Sequence, residues 1–241
     1  PSIMAPMATV IQDRPDLDVR ESYQLSTGTI AILNQGEINE MLAAWLFQVA
    51  KRWPYLPTPV RPQGNQIARQ RNMAVERMLG DWLLFLDADM VPPSTDVLLD
   101  LVASEADIVS GVALERWPPF HVGATSLETR EKLRLNDLPI SGPLEVATVG
   151  TGCLLIRRGV FAVMDPPWFR CGQIDPQYLT EDSEFCLRAA NAGFRIVLHC
   201  GVRVGHLATG VLWPGRNGQR WIEWRGPVDV RESVEETGGE G

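Results

Sequence analysis

Lysine is nearly missing from this chain: Lys51 and Lys132 are the only two in 241 residues, and the other twenty basic residues are arginines. Any chemistry that needs a lysine amine therefore has two candidates. The four cysteines, Cys153, Cys171, Cys186 and Cys200, include no Cys-x-x-Cys pair, and this spacing predicts reduced thiols and not a disulfide framework or a metal cluster. No stretch without charge reaches the ~20 residues that a spanning helix requires, 41–50 and 146–156 being examples that fall far short. The N-terminus has no positively charged segment before an apolar run, so no secretory leader is expected. No basic stripe is present either. The net charge is −8, and residues 229–241 alone hold five acids against one arginine. That balance argues against a nucleic-acid binder. Together these absences predict a soluble, cytoplasmic chain with no transmembrane segment.

What is present is the composition of a globular core, 45% hydrophobic with 22% charged residues. The length suits one ordinary domain with extensions. Thr29–Leu33 reads as a buried strand. Residues 37–52 open with acids, end in Lys-Arg and carry apolar residues at helical spacing, which suits the helix dipole. A second helix is expected over Gln66–Leu79, closed by Gly80. Trp82–Leu86 is a continuous apolar strand, followed by a helix through about Ser104 and a strand at Ile108–Ala113. Strand and helix alternating at this spacing predict an α/β fold with a mostly parallel sheet covered on both faces. Residues 117–145 read as a long polar insertion, Val146–Ile156 as strand-like, Glu181–Ala192 as a helix ending at Gly193, and 194–205 as strand-like. The expected organisation is an N-terminal arm (1–27), a single domain (28–228) and an acidic, mobile tail (229–241).

Four places carry side chains suited to chemistry. Asp87-Ala88-Asp89 follows the apolar strand at the lip where open α/β sheets bind ligands, and its hard oxygens suit Mg2+ or Mn2+ shared with substrate phosphates. The bland alternative is a solvated turn. Glu181-Asp182 opens a helix, as a general base or as acids favoured by the dipole. His206 follows Gly205 after a strand, as a metal ligand or as a structural histidine. Gly150-Thr151-Gly152 lacks the third glycine of a dinucleotide fingerprint and reads on its own as a bend. Trp117, Phe120, Trp168 and Tyr178 are aromatic candidates for stacking on a ligand, with packing as the competing role; Trp213, Trp221 and Trp224 read as packing residues of a terminal hairpin.

In order and spacing these elements resemble the GT-A glycosyltransferases related to family 2. Gln70-Arg71-Asn72 stands where the family has Ala-Arg-Asn, and Asp87-Ala88-Asp89 is its acidic motif. Gly150-Thr151-Gly152 resembles its glycine loop, Glu181-Asp182 with Glu184-Phe185-Cys186-Leu187-Arg188 its Glu-Asp helix, and Gly205-His206 its C-terminal histidine. The resemblance spans about residues 28–210. The first strand, ending TIAILNQG, lacks the family's frequent Pro-x-Tyr-Asn.

The resemblance implies a Rossmann-like GT-A fold with a nucleotide-sugar-binding half (28–115) and an acceptor-side half (116–228). It implies transfer of a sugar from a UDP- or GDP-linked donor to a carbohydrate or small hydroxyl acceptor, with Mn2+ or Mg2+ as cofactor. Asp87, Asp89 and His206 would hold the metal. Asn34, Arg69, Arg71, Asp87, Ala88, Asp89 and Gly152 would line the donor. Asp182, with Glu181 beside it, would act on the acceptor. Two other readings stand beside it. Asp87-Ala88-Asp89-Met90-Val91 also has the form of the first motif of haloacid-dehalogenase-like phosphohydrolases, with Lys132 as the sole downstream lysine. A GT-A domain that binds a sugar nucleotide without turnover is the other.

Overall fold

The structure is a computed structural model that describes residues 27–33, 38–53, 58–60, 62, 66–104, 106–116, 119–174, 177–207, 210–215, 220–224 and 231–233. The first half alternates strand and helix: β1 (Gly28–Leu33), α1 (Glu40–Arg52), β2 (Thr58–Val60), α2 (Ile67–Glu76), β3 (Trp82–Asp87), β4 (Met90–Val91), α3 (Asp96–Ala103) and β5 (Ile108–Val112). The second half continues with β6 (Ala124–Ser126), β7 (Pro143–Val149), β8 (Cys153–Arg157), α4 (Arg158–Val163), β9 (Gly172–Ile174) and β10 (Gln177–Leu179). It ends with α5 (Glu181–Asn191), β11 (Ile196–Arg203), β12 (Gly205–Leu207), β13 (Gly210–Pro214), β14 (Arg220–Trp224) and β15 (Arg231–Ser233). Among the described residues no helix is long and apolar enough to cross a membrane.

Eight strands form one sheet in the order β2-β1-β3-β8-β5-β11-β7-β6. The pairings make six strands point one way, with β7 and β8 opposed. This is the mostly parallel α/β sheet that the sequence predicts, in a GT-A arrangement.

The unbroken apolar run of β3 follows from its central place. Trp82, Leu83, Leu84, Phe85 and Leu86 are all fully buried. Alternate side chains enter opposite layers: Leu83 and Phe85 pack with Ala74, Val75, Val160, Phe161, Phe185 and Ala189 from α2, α4 and α5. Trp82, Leu84 and Leu86 pack with Leu42, Trp45, Val49, Val97, Leu98 and Leu101 from α1 and α3. A strand covered on both faces has no polar side to show. Each such burial contributes roughly 1.5–3 kcal/mol.

Local chemistry sets the boundaries. Asn39 caps α1, its side chain accepting from Leu42 N at 2.9 Å, so the helix starts later than its acidic approach suggests. Gly80 has φ +81°, the left-handed conformation that lets the chain turn from α2 into β3. The insertion is less irregular than its polarity suggests. It contains β6, a 3-10 turn at Leu135–Asp137 and the start of β7.

A second sheet has the order β15-β14-β13-β12-β4. Here Met90 pairs with His206 and Val91 with Gly205. The chain thus leaves the main sheet at Asp87, turns through Ala88 and Asp89, and enters the second sheet at Met90. The expected terminal hairpin is β13–β14, and Arg231–Ser233, inside the acidic tail, pairs with β14.

Candidate active site

The turn at Asp87–Asp89 is held from four sides. Asp87 N donates to Gly152 O at 3.0 Å, Ala88 N to Leu33 O at 2.9 Å, and Leu207 N to Asp89 O at 2.8 Å. Asn39 Nδ2 donates to Ala88 O at 2.6 Å and to Met90 O at 3.3 Å. Ala88 therefore contributes backbone. Gly152 stands close to Met90: a Cβ there would lie 2.5 Å from Met90 Cε, the flexible end of that side chain, which would have to move.

The two carboxylates have different surroundings. Asp87 Oδ1 lies 3.8 Å from Arg71 Nη2, and Arg71 Nη1 forms a short ion pair with Glu181 Oε1. Asp87 Oδ1 is buried and accepts no hydrogen bond. Burial pushes the Asp87 carboxyl above its ordinary value, against the pull of Arg71. Burial pushes the Arg71 guanidinium below its ordinary value, against Asp87 and Asp182. Asp89 faces an imidazole and a guanidinium: His206 Nε2 stands 3.5 Å and Arg116 Nη1 3.1 Å from the same oxygen, Oδ2. Burial acts to raise the Asp89 carboxyl, but the hydrogen bond and charge of His206, with Arg116 and a backbone N–H, outweigh it and hold the group below its ordinary value.

His206 Nδ1 lies 2.8 Å from Leu114 O, which only accepts, so Nδ1 carries the hydrogen and donates. Nε2 is then the ring nitrogen that faces Asp89. Anchoring one ring nitrogen on a carbonyl in this way is how proteins orient a metal-binding imidazole. No group of three or more His, Cys, Asp or Glu side chains is gathered as a cage among the described residues. A Mg2+- or Mn2+-type site needs less, one or two carboxylates completed by substrate phosphates and water. Asp89 and His206 fit that requirement, and Asp87 Oδ1, which accepts no hydrogen bond, belongs to the same turn as Asp89. An imidazole in the donor set favours Mn2+ over Mg2+.

A cavity of about 330 Å3 opens beside this pair, and its lining includes Arg71, Asp87, Gly152, Asp182, His206 and Lys132. Asp182, in the first turn of α5, accepts from Ser183 N at 2.7 Å and from the Thr180 hydroxyl. The rest of that helix motif is architectural. Glu184 Oε1 accepts from Arg170 Nε at 2.9 Å and from Arg188 Nε at 2.8 Å, while Arg188 also donates to Pro167 O and Trp168 O. Asn72, next to Arg71, clamps the backbone of Phe169 through both ends of its amide.

The structure thus brings Arg71, Asp87, Asp89, Gly152, Asp182 and His206 to one place, with Glu181 reached through Arg71. It does not bring Arg69 there. Arg69 lines a separate cavity with Met73, Glu76 and Arg170, because helical residues two apart face nearly opposite ways. Asn34 and Trp117 lie outside the described residues, as does the side chain of Tyr178. Trp168 serves packing, donating from Nε1 to Phe161 O and Met164 O. Sequence reasoning passes over Asn39, Arg116 and the ion pair of Lys132 with Glu115, which lines the cavity. Of these only Asn39 has a local signal, an N-cap residue before an acidic helix start.

A sequence model described as glycosyl transferase family 2 matches residues 39–163, more than half of the chain. No curated protein matches. Among solved structures, A197 from STIV aligns with a TM-score of 0.56 at 17% identity, over 85% of this chain and 97% of that one. It shares the fold. The inositol-1-phosphate CTP transferase from T. maritima aligns at 0.44 with 12% identity, over 73% of this chain and 86% of that one. The mannosyltransferase PcManGT from Pyrobaculum calidifontis, in complex with GDP-Man and Mn2+, aligns at 0.41 with 13% identity, over 71% of this chain and 56% of that one.

Proposed function

The chain belongs to glycosyl transferase family 2, and from that premise we propose that it moves a sugar from a UDP- or GDP-linked donor to an acceptor hydroxyl with the help of a divalent ion. The observation that carries this reading is the single cavity lined by Asp87, Asp182 and His206, with Asp89 Oδ2 3.5 Å from His206 Nε2. Asp89 and His206 would hold the ion, which when bound supplies positive charge against the diphosphate leaving group.

The remaining work falls to the chain's own side chains. Arg71, anchored by Glu181, holds the Asp87 carboxylate toward the donor side. Gly152 leaves room for Met90 beneath the turn. Asp182 takes the proton of the acceptor hydroxyl as that oxygen forms its bond to the anomeric carbon and the bond to the diphosphate breaks. A carboxylate on a fixed helical turn, with Thr180 and Ser183 N orienting one oxygen, leaves its other oxygen for the acceptor.

The phosphohydrolase reading needs Lys132 beside Asp87; Lys132 is instead paired with Glu115, and the family is that of sugar transferases. Binding without turnover is disfavoured by the Asp182 carboxylate in the cavity, which a pure binding site does not need.

Calorimetric titration of UDP and GDP with and without Mn2+ tests the proposal. Nucleotide affinity should rise with the metal, and equal affinity in both conditions would sink the metal reading. A turnover assay with the nucleotide sugar that binds then separates transferase from binding domain.

A further inference from the structure

We propose that Arg116 is the resident counter-ion of Asp89, displaced by the incoming divalent ion and thereby released to grip the donor's diphosphate. This inference rests on the reading of Asp89 and His206 as the metal site. Its basis is that one carboxylate oxygen has two claimants. Arg116 Nη1 is 3.1 Å from Asp89 Oδ2, and His206 Nε2 is 3.5 Å from the same atom. An ion held by Asp89 and His206 would bring a second positive charge to the oxygen that the guanidinium faces, and two cations there would repel each other. Asp89 therefore exchanges partners when the metal arrives.

The two arginines of the site differ in their freedom to move. The Arg71 side chain is 4% exposed and fixed between Glu181 and Asp87, whereas that of Arg116 is 48% exposed and bonded to Asp89 by one nitrogen. Only Arg116 is free to swing. Its backbone is well anchored all the same: Leu114 O, two residues earlier, receives the His206 Nδ1 hydrogen, and Glu115 N donates to His121 O at 2.9 Å. The strap that fixes the histidine thus also carries the movable cation. A guanidinium offers paired donors to phosphate oxygens, so the released side chain is chemically suited to a diphosphate held at that ion. Before loading, Arg116 keeps the half-buried carboxylate neutralised.

The experiment measures Mn2+ binding alone by electron paramagnetic resonance, then UDP and GDP binding at saturating Mn2+ by calorimetry. Wild type, Arg116→Ala, Arg116→Lys and Asp89→Asn are compared, with circular dichroism melting as the control for folding. Arg116→Ala should bind Mn2+ alone roughly three- to tenfold more tightly, because a competing cation is gone. The same variant should bind the diphosphates about tenfold more weakly, while uridine and guanosine bind as to wild type. Arg116→Lys keeps the charge and should fall between. Unchanged or weaker Mn2+ binding in Arg116→Ala overturns the exchange. Tighter Mn2+ with unchanged diphosphate binding overturns the grip on the donor. If Asp89→Asn binds Mn2+ like wild type, the metal reading itself fails and takes this inference with it. A normal dependence on Asp89 with an unmoved Arg116→Ala sinks the inference alone.

Discussion

Arg71 and Glu181 are 110 positions apart and meet as an ion pair whose side chains are 4% and 12% exposed. The pair ties α2 to the first turn of α5 directly behind Asp87. Removing one member leaves the other charge in a dry place. Glu181→Ala should lower unfolding free energy by about 3 kcal/mol, as breaking a buried pair does. Glu181→Gln keeps an acceptor and should cost less. Urea unfolding of both variants checks the order.

Asp182, its neighbour, should behave in the opposite way. It meets the cavity and its hydrogen bonds stay within its own helix start, so Asp182→Asn should change stability by less than about 1 kcal/mol. Transfer should fall by roughly 100- to 10,000-fold, the range for a lost general base, with nucleotide affinity close to wild type. Donor binding that collapses with activity would move Asp182 to the donor side. Transfer that survives would leave it a helix cap.

For His206→Ala the expected loss is in metal-dependent nucleotide binding, at least as large as the roughly 10- to 100-fold seen when an outer partner of a metal ligand is removed. Melting without ligand should move little, since His206 is only partly buried and gives up one hydrogen bond to Leu114 O. A large drop in that melting temperature with normal metal dependence would mark a structural histidine.

The cysteines divide by burial. Cys171 is exposed, and Cys153, Cys186 and Cys200 are buried. A thiol reagent applied to the native protein should modify Cys171 alone, and all four after unfolding. Burial pushes the Cys153 and Cys186 thiols up to about 12 from an ordinary value near 9. The folded state therefore keeps protons that the unfolded chain releases first. Stability from these thiols is complete below about pH 9 and is lost as pH rises toward 12. Urea midpoints for wild type and Cys186→Ala should converge across that interval.

The main sheet was legible because its central strands are long and apolar and its helices carry end signals; Trp82–Leu86 and the Gly80 stop are examples. The three-residue strands β6, β9 and β10 were not, since such pieces have no measurable period and exist through pairing with distant partners. The second sheet is the clearest case. Nothing near Met90 or His206 announces that they pair, yet that pairing carries the histidine to Asp89. Side chains that act within one local motif could be picked out, whereas Arg116, just ahead of the polar insertion, has no pattern to single it out. Arg69 shows the converse error, in which nearness in sequence hides opposite faces of one helix.

Asn39 caps α1 with its oxygen and latches the Asp87–Asp89 turn with its nitrogen. Fraying at the start of α1 and loosening of the acidic turn are therefore one event. Exchange of the Leu42 amide hydrogen with solvent becomes a clock for the readiness of a site it never touches. Asn39→Asp separates the two functions, since the carboxylate still caps the helix but has no hydrogen to give to Ala88 O. In that variant the helix clock should run at its normal pace while the acidic turn comes loose.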